Sequence, residues 1–155
     1  MSKIVFIGSD HGGFEMKGKI KKYLETSKIL FEDLGTYSNE STSYVVYAEA
    51  VCNKVIESDG RGILICSSGI GMSIAANKVI GIRAALCTSN FHAEFSRRHN
   101  DANIICFGSK VSGEISIIEM IDIFLNTPFD GGRHKIRVDM ISEIERKNLG
   151  FSDLN

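Results

Sequence analysis

Ile63-Leu64-Ile65-Cys66-Ser67-Ser68-Gly69-Ile70-Gly71-Met72-Ser73-Ile74-Ala75-Ala76-Asn77-Lys78 is an apolar strand that runs into a Ser/Gly loop and then opens a helix, with a cysteine at the turn. Two hydroxyls and two glycines let the backbone approach a ligand closely, and the unpaired N–H groups of a first helical turn favour negative charge. The segment therefore reads as a place to hold a phosphate or an oxyanion. If the strand is a central parallel one, its carboxyl end is where open α/β sheets bind ligands.

Outward from this segment, strands and helices alternate. Lys3 to Gly8 reads as a buried strand, and after the Gly12-Gly13 turn Phe14, Met16, Ile20, Tyr23 and Leu24 recur at helical spacing. Ile29 to Leu34 gives a second strand, Tyr44 to Ser58 a helix, and Gly60 and Gly62 bracket the turn into Ile63 to Cys66. The following helix is expected to reach about Lys78. Ile82 to Cys87 makes a fourth strand, Ser89 to His99 a helix capped by Ser89 or Asn90, and Asn103 to Phe107 a fifth strand. This alternation is that of a parallel sheet covered on both faces.

Two helices complete the chain. The one from about Gly113 to Asn126 is apolar on most of its circumference, leaving Ser116, Glu119 and Asp122 as a thin polar stripe. A second subunit or the C-terminal segment is expected on its far side, with burial inside one chain about as plausible. After Pro128, the run from Gly131 to Arg137 leads into an amphipathic helix with Ile136, Met140, Ile141 and Ile144 on one side. The segment from about 129 to 150 is expected to pack on the domain or on a partner.

The whole-chain properties exclude several classes. The 155 residues fit a single domain spanning 1–155, large enough to bury a core without disulfides or metals. Eighteen basic and nineteen acidic residues, net charge −1, give no broad field for nucleic acid or an anionic membrane, so small molecules or proteins are the expected partners. No apolar run approaches the roughly 20 residues of a membrane span and no signal-peptide pattern opens the chain, so a cytoplasmic protein is expected. Cys52, Cys66, Cys87 and Cys106 lack the paired short spacing of a zinc or thioredoxin-like motif. Three of them are expected to fill core positions as reduced thiols.

Cys66 is set apart by its neighbours. A thiol at a helix start has its thiolate stabilised by the dipole and the free N–H groups, which makes it a usable base or nucleophile. The loop lacks a Walker lysine, and Gly69-x-Gly71 has no third glycine two places on, so ATP and NAD are poor candidates. Ser9-Asp10-His11-Gly12-Gly13 follows the first strand and should neighbour Cys66 at the same sheet edge. Asp10 could pass protons or hold a sugar hydroxyl, and His11 could bind phosphate. The plainer alternatives are a helix-capping Asp and a surface His. Ser96-Arg97-Arg98-His99-Asn100-Asp101 precedes the fifth strand and should face away from those two loops, so His99 reaches Cys66 only by a wrapping loop or from another subunit. Its plainer alternative is a helix C-cap. Arg133 and Arg137, four apart, could clasp a phosphate or form an ordinary solvated face.

Taken together, Ser9 to Gly12, Ile65 to Lys78, Gly81 to Ala84, Ser96 to Asn103 and Gly131 to His134 closely resemble the ribose-5-phosphate isomerase B family over nearly the full chain. The resemblance implies a Rossmann-like three-layer α/β/α sandwich with a five-stranded parallel sheet and a C-terminal helix. It further implies a homodimer or homotetramer whose sites are built across a subunit boundary. It implies an aldose–ketose isomerase of pentose phosphate metabolism that interconverts D-ribose 5-phosphate and D-ribulose 5-phosphate through an enediolate, with no metal or organic cofactor. By the same resemblance, Cys66 removes the proton beside the carbonyl and His99 helps open the furanose ring. Asp10, His11, Ser67, Ser68, Gly69, Ile70, Gly71, Asn100, Arg133 and Arg137 line the sugar-phosphate site.

This chain departs from the family pattern in three places. Ser67-Ser68 stands for Gly-Thr in the Cys-Gly-Thr-Gly loop, and Ser43-Tyr44-Val45 for Asp-Tyr-Pro, keeping Tyr44 as a sugar contact. Lys110 replaces an arginine, keeping the charge without the bidentate fork. The rival readings are an allose-6-phosphate or galactose-6-phosphate isomerase, and a non-catalytic phosphosugar-binding module. A phosphatase with a covalent Cys66 intermediate is weaker, since the loop lacks the arginine for a transferring phosphoryl group.

Overall fold

Alternate residues of the three inner strands divide the apolar side chains between two cores, as the two-residue period of a strand requires. In the computed structural model, which describes residues 3–150, Val5, Ile7, Ile63, Ile65, Ile105 and Phe107 point to one face. Phe6, Leu64, Cys66, Ile104 and Cys106 point to the other. Strands buried on both faces are near-continuous apolar runs, and these are.

The strands are β1 (Val5–Ser9), β2 (Phe31–Asp33), β3 (Arg61–Cys66), β4 (Ala84–Leu86) and β5 (Ile104–Gly108). All pair in parallel, in the order β2-β1-β3-β5-β4, so β3 is central. The helices are α1 (Phe14–Thr26), α2 (Tyr44–Ser58), α3 (Ile70–Ala76), α4 (Asn90–Arg98), α5 (Glu114–Asn126) and α6 (Arg133–Asn148). Helices α1, α4 and α5 cover the first core, and α2 and α3 the second, which gives the three-layer α/β/α sandwich.

Several ends differ from the sequence expectation. β2 and β4 are three residues each, shorter than the apolar runs Ile29 to Leu34 and Ile82 to Cys87, because an edge strand has a neighbour on one side only. α3 stops at Ala76, where Asn77 turns its amide onto the Ser73 and Ala84 carbonyls. Ser89 caps α4, its hydroxyl accepting the His92 N–H at 3.2 Å. The apolar helix α5 is flanked by α1 and α4 of its own chain, and its Ile117, Met120, Ile121 and Phe124 are fully buried.

The expected apolar side of α6 finds little cover. Ile136, Met140, Ile141 and Ile144 remain exposed and Val138 is the one buried residue of the helix. It is tied to the domain through the Glu145 carboxylate, which accepts the Gly81 N–H at 3.2 Å, and through the His134 ring stacked on His99. The cysteine expectation holds: Cys52, Cys87 and Cys106 are sealed in the cores, and burial pushes Cys52 and Cys87 up to about 12 and Cys106 well above its ordinary value.

Candidate active site

β1 leads into α1 on one face of the sheet and β3 into α3 on the other, so the connections after these adjacent strands diverge. The crevice left between them at the carboxyl edge is the topological switch point of an open α/β sheet. Asp10 and Cys66 stand on its two sides.

The Ser/Gly loop is held from behind. Ser109 N–H donates to the Cys66 carbonyl at 2.9 Å and Lys110 N–H to the Ser67 carbonyl at 3.0 Å, tying the loop to the end of β5. Gly69 sits at φ 78°, and a Cβ there would lie 2.6 Å from Leu86 and 2.7 Å from the Phe107 backbone, so only glycine fits. This pose aims the Gly69 N–H at the Cys66 sulfur at 3.0 Å, the contact a thiolate accepts. The Ser68 hydroxyl accepts the Ile70 N–H at 3.2 Å. Gly71 is overlain by Tyr44, whose ring would meet a Cβ there at 2.7 Å. Seven residues make α3 a short dipole, so the fixed loop amides carry more of the local field than the helix does.

The β1 connection closes the other wall. Asp10 is nearly buried and accepts the Gly13 N–H at 3.2 Å, so the capping alternative describes its contact within the chain. A Cβ on Gly12 would collide with the Ser67 hydroxyl, which places the two loops in direct contact. Ser109 Oγ donates to the Gly12 carbonyl at 2.6 Å and locks that approach. His11 is exposed, and its Nδ1 accepts the Thr42 N–H at 3.2 Å, which leaves the proton on Nε2 free to point outward as a donor. Ser9 Oγ, fully buried beside Asp10, has no hydrogen-bond partner among the described residues.

His99 lies elsewhere. α4 starts after the carboxyl end of β4 and delivers the chain to the amino end of β5, with His99 as its C-cap. At about 3.3 Å per residue, the five residues of β5 put roughly 15 Å of sheet between that corner and the Cys66 edge. There His99 stacks on His134, centroids 4.0 Å apart and planes 11° apart. Arg98 pairs with Asp130 at 3.2 Å, and Arg133 and Arg137 stand exposed on the first turns of α6. Asn100 is exposed next to His99, and its carbonyl accepts from Arg83.

One chain thus gathers Cys66, Asp10, His11, Ser67 to Gly71, Tyr44 and Lys110 at the carboxyl edge, and His99, Asn100, Arg133 and Arg137 at the other. A cavity of about 580 Å³ lies between α6 and the segment 77–85, with Asn100 on its wall and neither Cys66 nor Asp10 in its lining. His99, Asp130 and His134 each bring a ligand atom within 4.8 Å of one another. The three arginines around them make the corner a better seat for an anion than for a cation. Partial burial, with repulsion from His99, Arg133 and Arg137, holds the His134 imidazole below its ordinary pKa. Ser109, Thr42 and His134 were not singled out from sequence, because each acts through a contact that only the folded loops create.

The substituted Ser43 retains a capping function. Its hydroxyl accepts the Val45 N–H at 3.3 Å, a bond that requires an N–H which a proline at that position would lack.

Comparison with known proteins agrees with this architecture. The sequence profile of the family described as Ribose/Galactose Isomerase matches residues 5–141. The chain is 45% identical to ribose-5-phosphate isomerase B of Escherichia coli, covering 95% of this chain and 99% of that protein. It is 41% identical to the Listeria innocua ribose-5-P isomerase B, covering 93% and 98%. The Clostridium thermocellum ribose-5-phosphate isomerase B structure superposes with a TM-score of 0.92 at 45% identity, covering 94% of this chain and 99% of that one. The Mycoplasma genitalium ribose-5-phosphate isomerase B structure, which has ribulose-5-phosphate bound, gives 0.91 at 38% identity, covering 95% and 99%. With a profile match over most of its length, the same sandwich and near-complete coverage of such relatives, the chain belongs to the ribose/galactose isomerase family.

Proposed function

We propose that the protein is an aldose–ketose isomerase that interconverts D-ribose 5-phosphate and D-ribulose 5-phosphate without a cofactor, as one sugar-phosphate isomerase domain working in the cytoplasm in pentose phosphate metabolism. The observation that carries the reading is Cys66 at the switch point, with the Gly69 N–H on its sulfur and the Asp10 loop across the crevice, in a chain so similar to ribose-5-phosphate isomerases B.

The chemistry follows from these positions. Cys66 as thiolate takes the proton from the sugar's second carbon and returns it to the first. The enediolate oxygens meet the Ser68 and Gly71 amides and the Ser68 hydroxyl, while the Gly69 N–H stays on the Cys66 sulfur and the Ile70 N–H on the Ser68 oxygen; one such fixed donor is worth about 100- to 1,000-fold in rate. Asp10 holds a sugar hydroxyl and relays the proton between the two oxygens, and Tyr44 closes over the loop. The phosphate, remote from the reacting carbons, supplies binding energy that positions them. His11, Arg133, Arg137 and Lys110 hold it. His99 and Asn100 attend the ring oxygen. Since one chain places these groups at opposite edges, the working unit is a dimer, alone or paired into a tetramer, in which each crevice receives the partner's His99 corner. The exposed apolar side of α6, next to that corner, is a surface suited to such a contact.

A coupled assay of the purified protein with ribose, allose and galactose phosphates tests the reading. Ribose 5-phosphate should have the highest kcat/KM, and Cys66→Ala should lower kcat by about 100- to 10,000-fold. Activity that survives that change, or a preference for a six-carbon substrate, overturns the base or the substrate.

A further inference from the structure

We propose that Lys17 is a positioning residue for the isomerisation, acting on Asp10 and His11 through the segment Asp33 to Thr36; the inference rests on the roles given to those two residues above. Lys17 lies on the α1 face that also buries Ile20 and Leu24, and it is 1% exposed. A buried ammonium persists only where acceptors are provided for it. Its Nζ donates to Asp33 Oδ1 at 2.5 Å and to the Thr36 carbonyl at 2.6 Å, with the Tyr37 ring 5.2 Å away. Asp33 Oδ1 also accepts the Gly35 N–H at 3.0 Å, and Oδ2 accepts from Lys21 at 2.8 Å. Burial opposes the Asp33 carboxylate, yet the bonds from Lys17, Lys21 and Gly35 outweigh it and leave its pKa below the ordinary value.

The segment held in this way is the edge on which the end of β1 is laid. Leu34 N–H donates to the Ile7 carbonyl at 2.9 Å, Ser9 N–H to the Gly35 carbonyl at 2.8 Å, and Thr36 N–H to the Ser9 carbonyl at 2.7 Å. The next two residues are Asp10 and His11. From its other end the same loop runs to Thr42, whose N–H fixes His11 Nδ1 and whose hydroxyl meets the Tyr47 phenol at 3.3 Å. Lys17 therefore grips a loop that touches both sides of the Asp10-His11 turn. Among the described residues Lys17 makes no hydrogen bond to the Cys66 loop, which Ser109 and Lys110 after β5 hold and which meets the Asp10 turn at Gly12.

That separation makes the role testable against plain stability. A methionine fills the volume of Lys17 and leaves Asp33 its Lys21 partner; because removing one member of a buried pair lowers stability, each variant is first shown to be folded by urea unfolding. In Lys17→Met and in Asp33→Asn, kcat/KM should fall by about 10- to 100-fold, and inorganic phosphate, measured by calorimetry, should bind more weakly. The rate at which iodoacetamide alkylates Cys66 should change less than kcat/KM does, since the Cys66 loop meets the Asp10 turn at Gly12 but keeps its own bonds from Ser109 and Lys110. Wild-type efficiency in either variant that folds overturns the proposal, as does a loss that moves in step with Cys66 alkylation, which marks a general loosening. Wild-type protein that binds phosphate but turns over no ribose 5-phosphate would instead sink the isomerase reading, leaving the phosphate and alkylation measurements to decide on Lys17.

Discussion

At the carboxyl edge of the sheet, Cys66, Asp10 and the Ser/Gly loop are braced by bonds from the two connections after β2 and β5, and glycines bring the loops into contact. At the amino edge, His99 stacks on His134 while Arg133 and Arg137 stand exposed on the start of a helix that buries only Val138. The first region is preorganised by its own chain in the way that catalysis by fixed donors requires. The second is built to present groups outward. The contrast teaches that, under the proposed function, the chain would carry two half-sites, one at each edge of its sheet.

The sharpest way to break this comparison is to divide the halves between chains. Cys66→Ala and His99→Ala are each expected to be nearly inactive alone, whereas a mixture unfolded and refolded together should regain roughly a quarter of wild-type activity, because a two-fold dimer with one lesion per chain has one intact site. Failure to regain activity in verified mixed dimers would mean that one chain supplies both groups. Next in size, Gly69→Ala forces a side chain into Leu86 and Phe107 at a positive φ. It should lower stability by about 2 kcal/mol, measured by urea unfolding, with a loss of kcat from the displaced N–H. A neutral result would show that the loop is less constrained than its contacts indicate.

The outward corner offers a gentler probe. His134 has its folded pKa below the ordinary 6.5, so the unfolded chain binds more protons as the pH falls through that value. Stability should therefore decline on acidification from about pH 7 to pH 5, and the thermal midpoint of His134→Gln should decline less over the same range. The smallest effect is expected at Ser9, whose buried hydroxyl finds no partner among the described residues. Ser9→Ala should change stability by about 0.5 kcal/mol or less, or raise it slightly, in the same unfolding assay.

The run from Ile63 to Lys78 and the glycine turn after β1 made the sandwich and its crevice legible, because a strand that ends in small residues and opens a helix has few other uses. The strand order was not, since an apolar run does not say on which side its neighbour lies. Edge strands came out short for the same reason. α5 has apolar residues all round, and composition could not tell that α1 and α4 share its cover. Lys17 was hidden by its charge: it sits three residues before Ile20 and seven before Leu24, on the buried stripe, and that spacing was the available signal. His99 was legible as misplaced for a single chain, and the fold has it at the opposite edge from Cys66.

The sheet ends on both sides in strands of only three residues, β2 and β4. Such stubs offer too few free backbone groups to recruit another strand, so copies of this chain are steered away from ribbon-like stacking and fibre growth. Contact between copies would be left to side-chain packing on helical surfaces, where a two-fold axis closes an assembly at a finite size.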